Sequence, residues 1–186
     1  ILVNEWPGKA VHWFENPEGK TDAPWKKPLM HPAVDNESPR FDDITGDGKP
    51  ELIFHTGGRL GYARPGADLT QPWRFFPISA KEGWGRYQHG LGFGDVNGDK
   101  KPDFLMVNGW WEQPAGKEPG DPAGVTTWKK HAVRLGTSGG SHMYTYDVDG
   151  DGDMDIIASL DAHNYGLAWM EQIRKDGEIT FNRHEI

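Results

Sequence analysis

Short runs of apolar residues, separated by glycine, proline and acidic residues, make up most of this chain. The runs at 52–54 and 104–107 each follow an acidic loop directly and have the length of buried strands. No stretch sustains the 3.6-residue periodicity of a helix, and Gly or Pro interrupts nearly every window. The pattern predicts an all-β protein built from short strands.

The acidic loops recur at a constant spacing. The segments FDDITGDGKPELIF, DVNGDKKPDFLMV and DVDGDGDMDIIAS contain equivalent aspartates at Asp43, Asp95 and Asp147, which lie 52 residues apart. Each period contains an apolar strand before the loop, a second after it, a third with an aromatic residue at a turn, and a fourth led by an aromatic residue. Four short strands in about 40–50 residues are the sequence signature of a β-propeller blade.

The repeat predicts how the chain is divided. A leucine-rich or other solenoid is the competing architecture, but its period is shorter and it lacks the third and fourth strands. We predict an incomplete blade at 1–34 and four-stranded antiparallel blades at 35–86, 87–138 and 139–186. Closed propellers have about 4 to 8 blades, so these roughly 3.5 blades are expected to be a segment of a larger propeller. Open strand edges at both ends would favour self-association.

Each acidic loop offers oxygen atoms at alternate positions. Positions 1, 3, 5 and 9 carry side-chain oxygens, and position 7 offers a backbone carbonyl. Crowded carboxylates repel one another unless a cation neutralises them, and Ca²⁺ accepts about six to eight oxygen ligands in flexible geometry. No Cys or His lies in these loops to favour zinc. The expected ligands are Asp43, Thr45, Asp47, Lys49 and Glu51 in loop 1, Asp95, Asn97, Asp99, Lys101 and Asp103 in loop 2, and Asp147, Asp149, Asp151, Asp153 and Asp155 in loop 3.

Two alternative interpretations of these loops are an EF-hand and a plain tight turn. An EF-hand needs Glu at position 12, where this chain has Phe54, Met106 and Ala158. Asp, Asn and Gly also favour tight turns without any ion. Three copies at one spacing favour up to three structural Ca²⁺ ions, which would shift the formal charge from −8 to −2. The all-Asp third loop is expected to bind Ca²⁺ most tightly, because affinity follows ligand charge.

Composition and charge limit the partners and the cellular compartment that we expect for this chain. The net charge is −8, and no basic run offers a phosphate-binding stripe, so nucleic acid is not an expected partner. The apolar runs are far shorter than the roughly 20 residues of a membrane span. The chain has no Cys, and it opens with ILVNEW rather than Met, so we expect a processed or excised piece. Because weak calcium sites fill only where the ion is plentiful, we expect a secreted or periplasmic protein.

The loop motifs resemble the FG-GAP or VCBS repeats that build calcium-binding blades in integrin-like and bacterial secreted propellers. This resemblance covers nearly the whole chain and implies a parent of roughly seven or eight blades, within the usual range. A narrower similarity rests on YQHGLGFGDVNGDKKPDFLMVNGWWEQP (87–114) and HMYTYDVDGDGDMDIIASLDAHNYGLAWMEQ (142–172). These segments resemble the propeller domain of aldos-2-ulose dehydratases and their bacterial relatives, which implies dehydration of a keto-sugar assisted by a divalent metal.

Three histidines are candidate catalytic residues. His89 and His142 lie six and five residues before the first acidic position of their loops, so both are expected at one rim of the central funnel. His163 follows the second strand of the last blade, in a loop able to fold over that rim. Converging imidazoles would suit an additional divalent metal that polarises a sugar carbonyl, with one imidazole as the base. The alternative is that each histidine only forms hydrogen bonds near the surface.

The tryptophans fall into repeating and non-repeating positions. The repeating ones are expected to pack between blades and are Trp13, Trp25, Trp73, Trp110, Trp128 and Trp169. Trp6, Trp84 and Trp111 break the repeat, so they are candidate contacts for a carbohydrate, with packing as the alternative.

Two functions of different classes remain. The first is a secreted, calcium-stabilised propeller that binds carbohydrate or a protein partner without chemistry. The second is a metal-assisted sugar dehydratase, a carbon–oxygen lyase that uses the funnel histidines. The first is favoured for this segment, because half a propeller lacks half of any central site.

Overall fold

Strands form all the regular structure in the described part of the chain. The structure, a computed structural model, describes residues 1–19, 22, 24–115, 127–137, 140 and 142–186. Within them it contains 15 β-strands and no helix, which confirms the all-β prediction. Accordingly, these residues include no helix with the length and apolarity needed to cross a membrane.

The strands form four consecutive groups, here called units 1 to 4. Unit 1 contains β1 (Leu2–Asn4), β2 (Lys9–Trp13) and β3 (Leu29–Val34). Unit 2 contains β4 (Arg40–Asp42), β5 (Glu51–Thr56), β6 (Arg59–Arg64) and β7 (Arg74–Pro77). Unit 3 contains β8 (Leu91–Gly94), β9 (Asp103–Met106), β10 (Gly109–Glu112) and β11 (Lys129–His131). Unit 4 contains β12 (His142–Tyr146), β13 (Asp155–Ser159), β14 (Leu167–Lys175) and β15 (Glu178–Glu185).

Within each unit every strand pairs antiparallel with the next one. Units 3 and 4 also share a sheet, because residues 91–92 of β8 pair in parallel with residues 142–143 of β12. Units 2 and 3 are also joined in parallel, through an isolated β-bridge between Asn36 and Gln88. Units 3 and 4 therefore form one eight-stranded sheet, so the predicted four-stranded blades are not confirmed there, and the propeller arrangement stays a prediction.

Glycines allow β8 and β12 to approach so closely. A Cβ atom at Gly92 would overlap the backbone of Met143, and one at Gly94 would overlap the side chain of Thr145. Any other residue at these positions would push the two strands apart. The shared sheet of units 3 and 4 therefore depends on the glycines of the GLGFG segment.

Alternating side chains of the second strands pack against two different neighbours. Successive residues of a strand point to opposite faces of its sheet. In β5, Leu52 and Phe54 pack in a buried cluster with unit 1, whereas Ile53 packs in a cluster with unit 3. In β9, Phe104 packs towards unit 2 and Leu105 towards unit 4. Both faces of these strands are buried, which explains why the runs at 52–54 and 104–106 are apolar at consecutive positions rather than at alternate ones.

Candidate functional site

Each acidic loop connects the first strand of a unit to the second. Loop 1 covers residues 43–50, loop 2 covers 95–102 and loop 3 covers 147–154. At position 4 the glycines Gly46, Gly98 and Gly150 have φ angles of 76°, 81° and 80°, in the left-handed region that favours glycine. The three loops therefore turn in the same way.

The carboxylate at position 1 accepts hydrogen bonds from the backbone of its own loop. Asp43 accepts from the N–H of Gly46 at 2.7 Å and from the N–H of Gly48 at 2.8 Å. Asp95 and Asp147 accept from the same two loop positions at 2.7–3.2 Å. These bonds order the turn around one carboxylate, as Asp does in tight turns generally.

The carboxylate at position 9 ties each loop to the sheet beneath it. Glu51, Asp103 and Asp155 are all buried, and each accepts from the N–H at position 2 of its loop at 2.9–3.1 Å. Asp103 and Asp155 also accept from the backbone N–H groups of Gln113 and Gln172, at 2.8 Å each. A buried carboxylate thus holds each loop from below.

Loop 1 departs from this pattern for a simple reason. By strand register, the residue of unit 2 equivalent to Gln113 is Pro65, and proline has no backbone N–H to donate. Position 9 of loop 1 is the longer Glu51, which reaches the backbone N–H of Thr45 at 3.3 Å and its hydroxyl, also at 3.3 Å. Glutamate therefore replaces aspartate where the donor on the third strand is missing.

Burial raises the pKa of two of the position 9 carboxylates, Asp103 and Glu51. It raises the pKa of Asp103 to about 7, and the nearby carboxylates of Asp99 and Asp95 raise it further, while two backbone hydrogen bonds oppose the shift. A cation placed among these groups would favour their ionised forms.

Two of the three loops gather three carboxylates around one point. Each group has ligand oxygens within 4.8 Å of one another, and the described residues contain no further group of three acidic or histidine ligands this close. The groups are Asp43, Asp47 and Glu51 in loop 1, and Asp147, Asp149 and Asp151 in loop 3. Loop 2 has the amide of Asn97 at position 3. One hydrogen bond is common to all three loops: the backbone N–H at position 7 donates to the carboxylate at position 5, at 2.8–2.9 Å.

Arg174 of β14 connects loops 2 and 3. Its Nε lies 2.9 Å from Oδ1 of Asp153, and its Nη2 donates to the carbonyl of Val96 at 3.4 Å. The acidic loops of units 3 and 4 are therefore linked through one guanidinium group.

Two of the three candidate catalytic histidines are in contact. The rings of His89 and His163 lie 5.1 Å apart, edge to face, and Nε2 of His89 is 3.3 Å from Oε2 of Glu37. Burial lowers the pKa of His142, and a hydrogen bond with the backbone of Ser38 partly offsets this effect. Since Ser38 follows Glu37 in the chain, the three imidazoles lie near one stretch of unit 2.

Glu37 was missed from the sequence, although the repeat contained a signal for it. It lies 52 residues before His89, so the two occupy equivalent positions in neighbouring units. Neither ring nitrogen of His89 has a hydrogen-bond partner among the described residues. Its Nε2 lies within ion-pair distance of the Glu37 carboxylate, but the two groups are not oriented for a hydrogen bond. Nε2 of His142 is likewise buried without such a partner. We call Glu37, His89, His142 and His163 the histidine cluster.

The three non-repeating tryptophans have different environments. Trp111 is 1% exposed and packs edge-on against Trp84 at 5.6 Å, in the cluster between units 2 and 3. Trp84 is partly buried against that cluster. Trp6 is 61% exposed, and its Nε1 donates to the hydroxyl of Tyr87 at 3.0 Å. Trp111 is therefore too buried to contact a ligand. Of the three, only Trp6 is well exposed, and it forms an aromatic pair with Tyr87, which the sequence did not single out.

A tryptophan, a histidine and a glutamate repeat on the outer strands of units 3 and 4. The ring of Trp110 stacks on His131 at 3.8 Å, and Nε2 of His131 lies 2.7 Å from Glu112. This hydrogen bond lowers the pKa of Glu112. In unit 4, Trp169 stacks on His184 at 4.4 Å, and that histidine contacts the equivalent glutamate at 2.7 Å.

Comparisons with known proteins give one distant structural neighbour. No protein-family model matches the sequence, and no curated protein matches it. Among solved structures, the chain is similar to the V. cholerae biofilm matrix protein Bap1, with a TM-score of 0.41 and 12% identity. The match covers 92% of this chain and 34% of Bap1, so the chain spans about a third of that protein's length. A likeness at this level carries no argument about function.

Proposed function

We propose that this chain is a segment of a secreted or periplasmic, calcium-stabilised propeller of the FG-GAP/VCBS type that binds a carbohydrate or a protein partner. The observation that carries the proposal is the common geometry of the three acidic loops. In each, the position 1 carboxylate organises the turn and a buried position 9 carboxylate supports it from below. An Asp-rich turn that served only to reverse the chain would not need a buried carboxylate beneath it.

Electrostatics favours a divalent cation in these loops. Two carboxylates about 4.8 Å apart repel each other by about 3 kcal/mol at the effective dielectric constant of a protein surface, and loops 1 and 3 each hold three carboxylates within that distance. A cation among them would turn this repulsion into attraction. The donors are oxygen atoms throughout, which suits Ca²⁺ better than zinc or copper.

The packing between units supports the propeller part of the proposal. β5 and β9 bury both faces against neighbouring units, as the sheets of a propeller do when they stack around an axis. One parallel contact, between residues 36 and 88, lies just before the first strands of units 2 and 3, and the other joins the first strands of units 3 and 4 at residues 91–92 and 142–143. This is where innermost strands would converge.

Calcium titration tests this proposal. The protein is stripped with a chelator, and binding of Ca²⁺ is measured by isothermal titration calorimetry together with the melting temperature. We expect up to three bound ions and a rise in melting temperature, because an ion that binds only the folded state stabilises it. Asp151→Asn should remove or weaken the site in loop 3. Asp176→Asn, which changes an aspartate in the β14–β15 turn, is the matched control and should bind Ca²⁺ as the parent does.

Two results would count against calcium. One is the absence of binding heat together with a melting temperature that the chelator does not change. The other is equal loss of binding in the Asp151 and Asp176 variants, because a general effect of charge would then explain both.

The histidine cluster favours a second candidate function, a metal-assisted dehydratase acting on a keto-sugar. The approach of His89 to both His163 and Glu37 supports it, because it places two imidazoles and a carboxylate side by side, with an imidazole available as the base. Their ligand atoms are not all within 4.8 Å of one another, so an additional divalent metal would bind here only after these side chains moved closer. An imidazole would remove a proton from the carbon beside the sugar carbonyl, and hydroxide would leave from the next carbon. The assay is the ultraviolet absorbance of the unsaturated product from an aldos-2-ulose with added metal. Activity that survives in His89→Ala would exclude this role for the cluster.

A further inference from the structure

A cavity of about 540 Å³ lies where unit 3 meets the β14–β15 hairpin of unit 4. Its volume is within the range of about 300–1,000 Å³ found for small-molecule sites. Unit 3 contributes Asn97, Glu112 and Lys129 to its wall, and unit 4 contributes Arg174, Glu178 and Ile179. Apart from Asn97, none of these residues belongs to the acidic loops or to the histidine cluster.

The charges around the cavity are balanced. Its wall contains two carboxylates, Glu112 and Glu178, and two cationic groups, Lys129 and Arg174. An anion would be attracted by one pair and repelled by the other, and the same holds for a cation. A neutral molecule with many hydroxyl groups gains from both pairs, because each hydroxyl can donate to a carboxylate and accept from an ammonium or guanidinium group. The charge pattern therefore favours a neutral polyhydroxylated ligand.

Several wall groups are held in place by their own contacts. Glu112 is fixed by His131 at 2.7 Å and by Lys129 at 3.4 Å, and the hydrogen bond to His131 keeps the pKa of this carboxyl low. Arg174 is fixed by its ion pair with Asp153 at 2.9 Å. A site whose polar groups are already positioned loses less free energy on binding than one that must be ordered.

Glu178 differs from these groups because it is exposed at the start of β15, where its backbone pairs with β14 but its carboxylate has no ion-pair or hydrogen-bond partner among the described residues. Its carboxylate is thus free to accept hydrogen bonds from a ligand. Next to it, Ile179 supplies an apolar surface that is partly buried against the cluster between units 3 and 4. A sugar ring has this combination of hydroxyl edges and an apolar C–H face.

We propose that this cavity binds a neutral sugar unit. The inference rests on the carbohydrate-binding part of the proposed function, for which it names the site and the class of ligand. The cavity is also connected to the acidic loops, because Asn97 is position 3 of loop 2 and Arg174 bonds to both loop 2 and loop 3. Calcium in these loops would therefore order part of the cavity wall.

The test is binding of neutral sugars to the calcium-loaded chain. Glucose, galactose, mannose and their common disaccharides are used as probes in saturation-transfer NMR and calorimetry. Glu178→Ala and, separately, Lys129→Ala are each expected to weaken the binding by about tenfold or more, because each removes a charged hydrogen-bonding partner. Glu185→Ala, which removes another exposed carboxylate of β15 outside the cavity, should bind the sugar as the parent does. Unchanged melting temperatures show that the variants are folded.

The outcomes separate this inference from the proposed function. If a sugar binds but both cavity variants retain parental affinity, the cavity is not the site, whereas carbohydrate binding as a function stands. If no neutral sugar binds, or if glucuronate or inorganic phosphate binds in the cavity instead, the inference is overturned. The calcium titration still tests the loops independently in each case.

Discussion

A buried histidine makes the stability of this protein sensitive to pH. His55 lies in β5 with its side chain fully buried, and neither ring nitrogen has a hydrogen-bond partner among the described residues. Burial lowers its pKa from 6.5 to about 4, although the nearby carboxylate of Asp35 opposes the shift. Protonating the ring in the folded state therefore costs free energy that the unfolded chain does not pay.

The sign and size of the effect follow from linkage. The folded-state pKa lies below the unfolded value, so the contribution of His55 is fully present above pH 6.5 and is lost as the pH falls towards 4. With these two values, the free energy of unfolding should decrease by about 2 kcal/mol between pH 8 and pH 5, and by about 3 kcal/mol by pH 4. One group thus accounts for a large fraction of the stability of a typical domain.

The assay compares urea unfolding of the parent and of His55→Phe at several values between pH 4 and pH 8. Phenylalanine keeps a ring of similar shape but does not titrate. Other groups also titrate here, including Asp103 with its raised pKa, but they are common to both proteins and cancel in the difference. We expect the parent to lose about 2 kcal/mol more than the variant between pH 8 and pH 5. Parallel stability curves would refute the reasoning, because they would mean that the folded protein protonates His55 as easily as the unfolded chain does.

Three further predictions concern packing and loop geometry. Gly92→Ala should destabilise the protein by about 1–3 kcal/mol, because the new methyl overlaps the β12 backbone, whereas Gly66→Ala, with open space around it, should be nearly neutral in thermal unfolding. Trp111→Ala should cost about 3–5 kcal/mol of unfolding free energy, and Trp6→Ala, at an exposed position, under about 1 kcal/mol; equal losses would contradict the assigned burial. Glu51→Asp should cost about 1 kcal/mol, because the shorter side chain loses hydrogen bonds to loop 1, and unchanged urea stability would contradict this account of Glu51.

The local parts of this structure were predictable from the sequence. The acidic loops lie between the first and second strands as expected, because position 4 glycines and alternating oxygen-bearing side chains act within nine residues of chain. The strands after these loops were predictable for the same reason, since an unbroken run such as Leu52 to Phe54 fits a strand buried on both faces. Glu37 was also within reach, as it shares the 52-residue register with His89.

Sequence by itself therefore determined the all-β class, the strands and the positions of three equivalent loops, since these follow from interactions between residues close in the chain. Tertiary structure alone decided which groups meet across units. It joined β8 to β12, buried Trp111 against Trp84, and brought Glu178 of unit 4 and Glu112 of unit 3 to the wall of one cavity. Such contacts depend on how whole sheets pack against one another. The pattern along one strand shows that a face is buried, but not which residues of a neighbouring unit bury it.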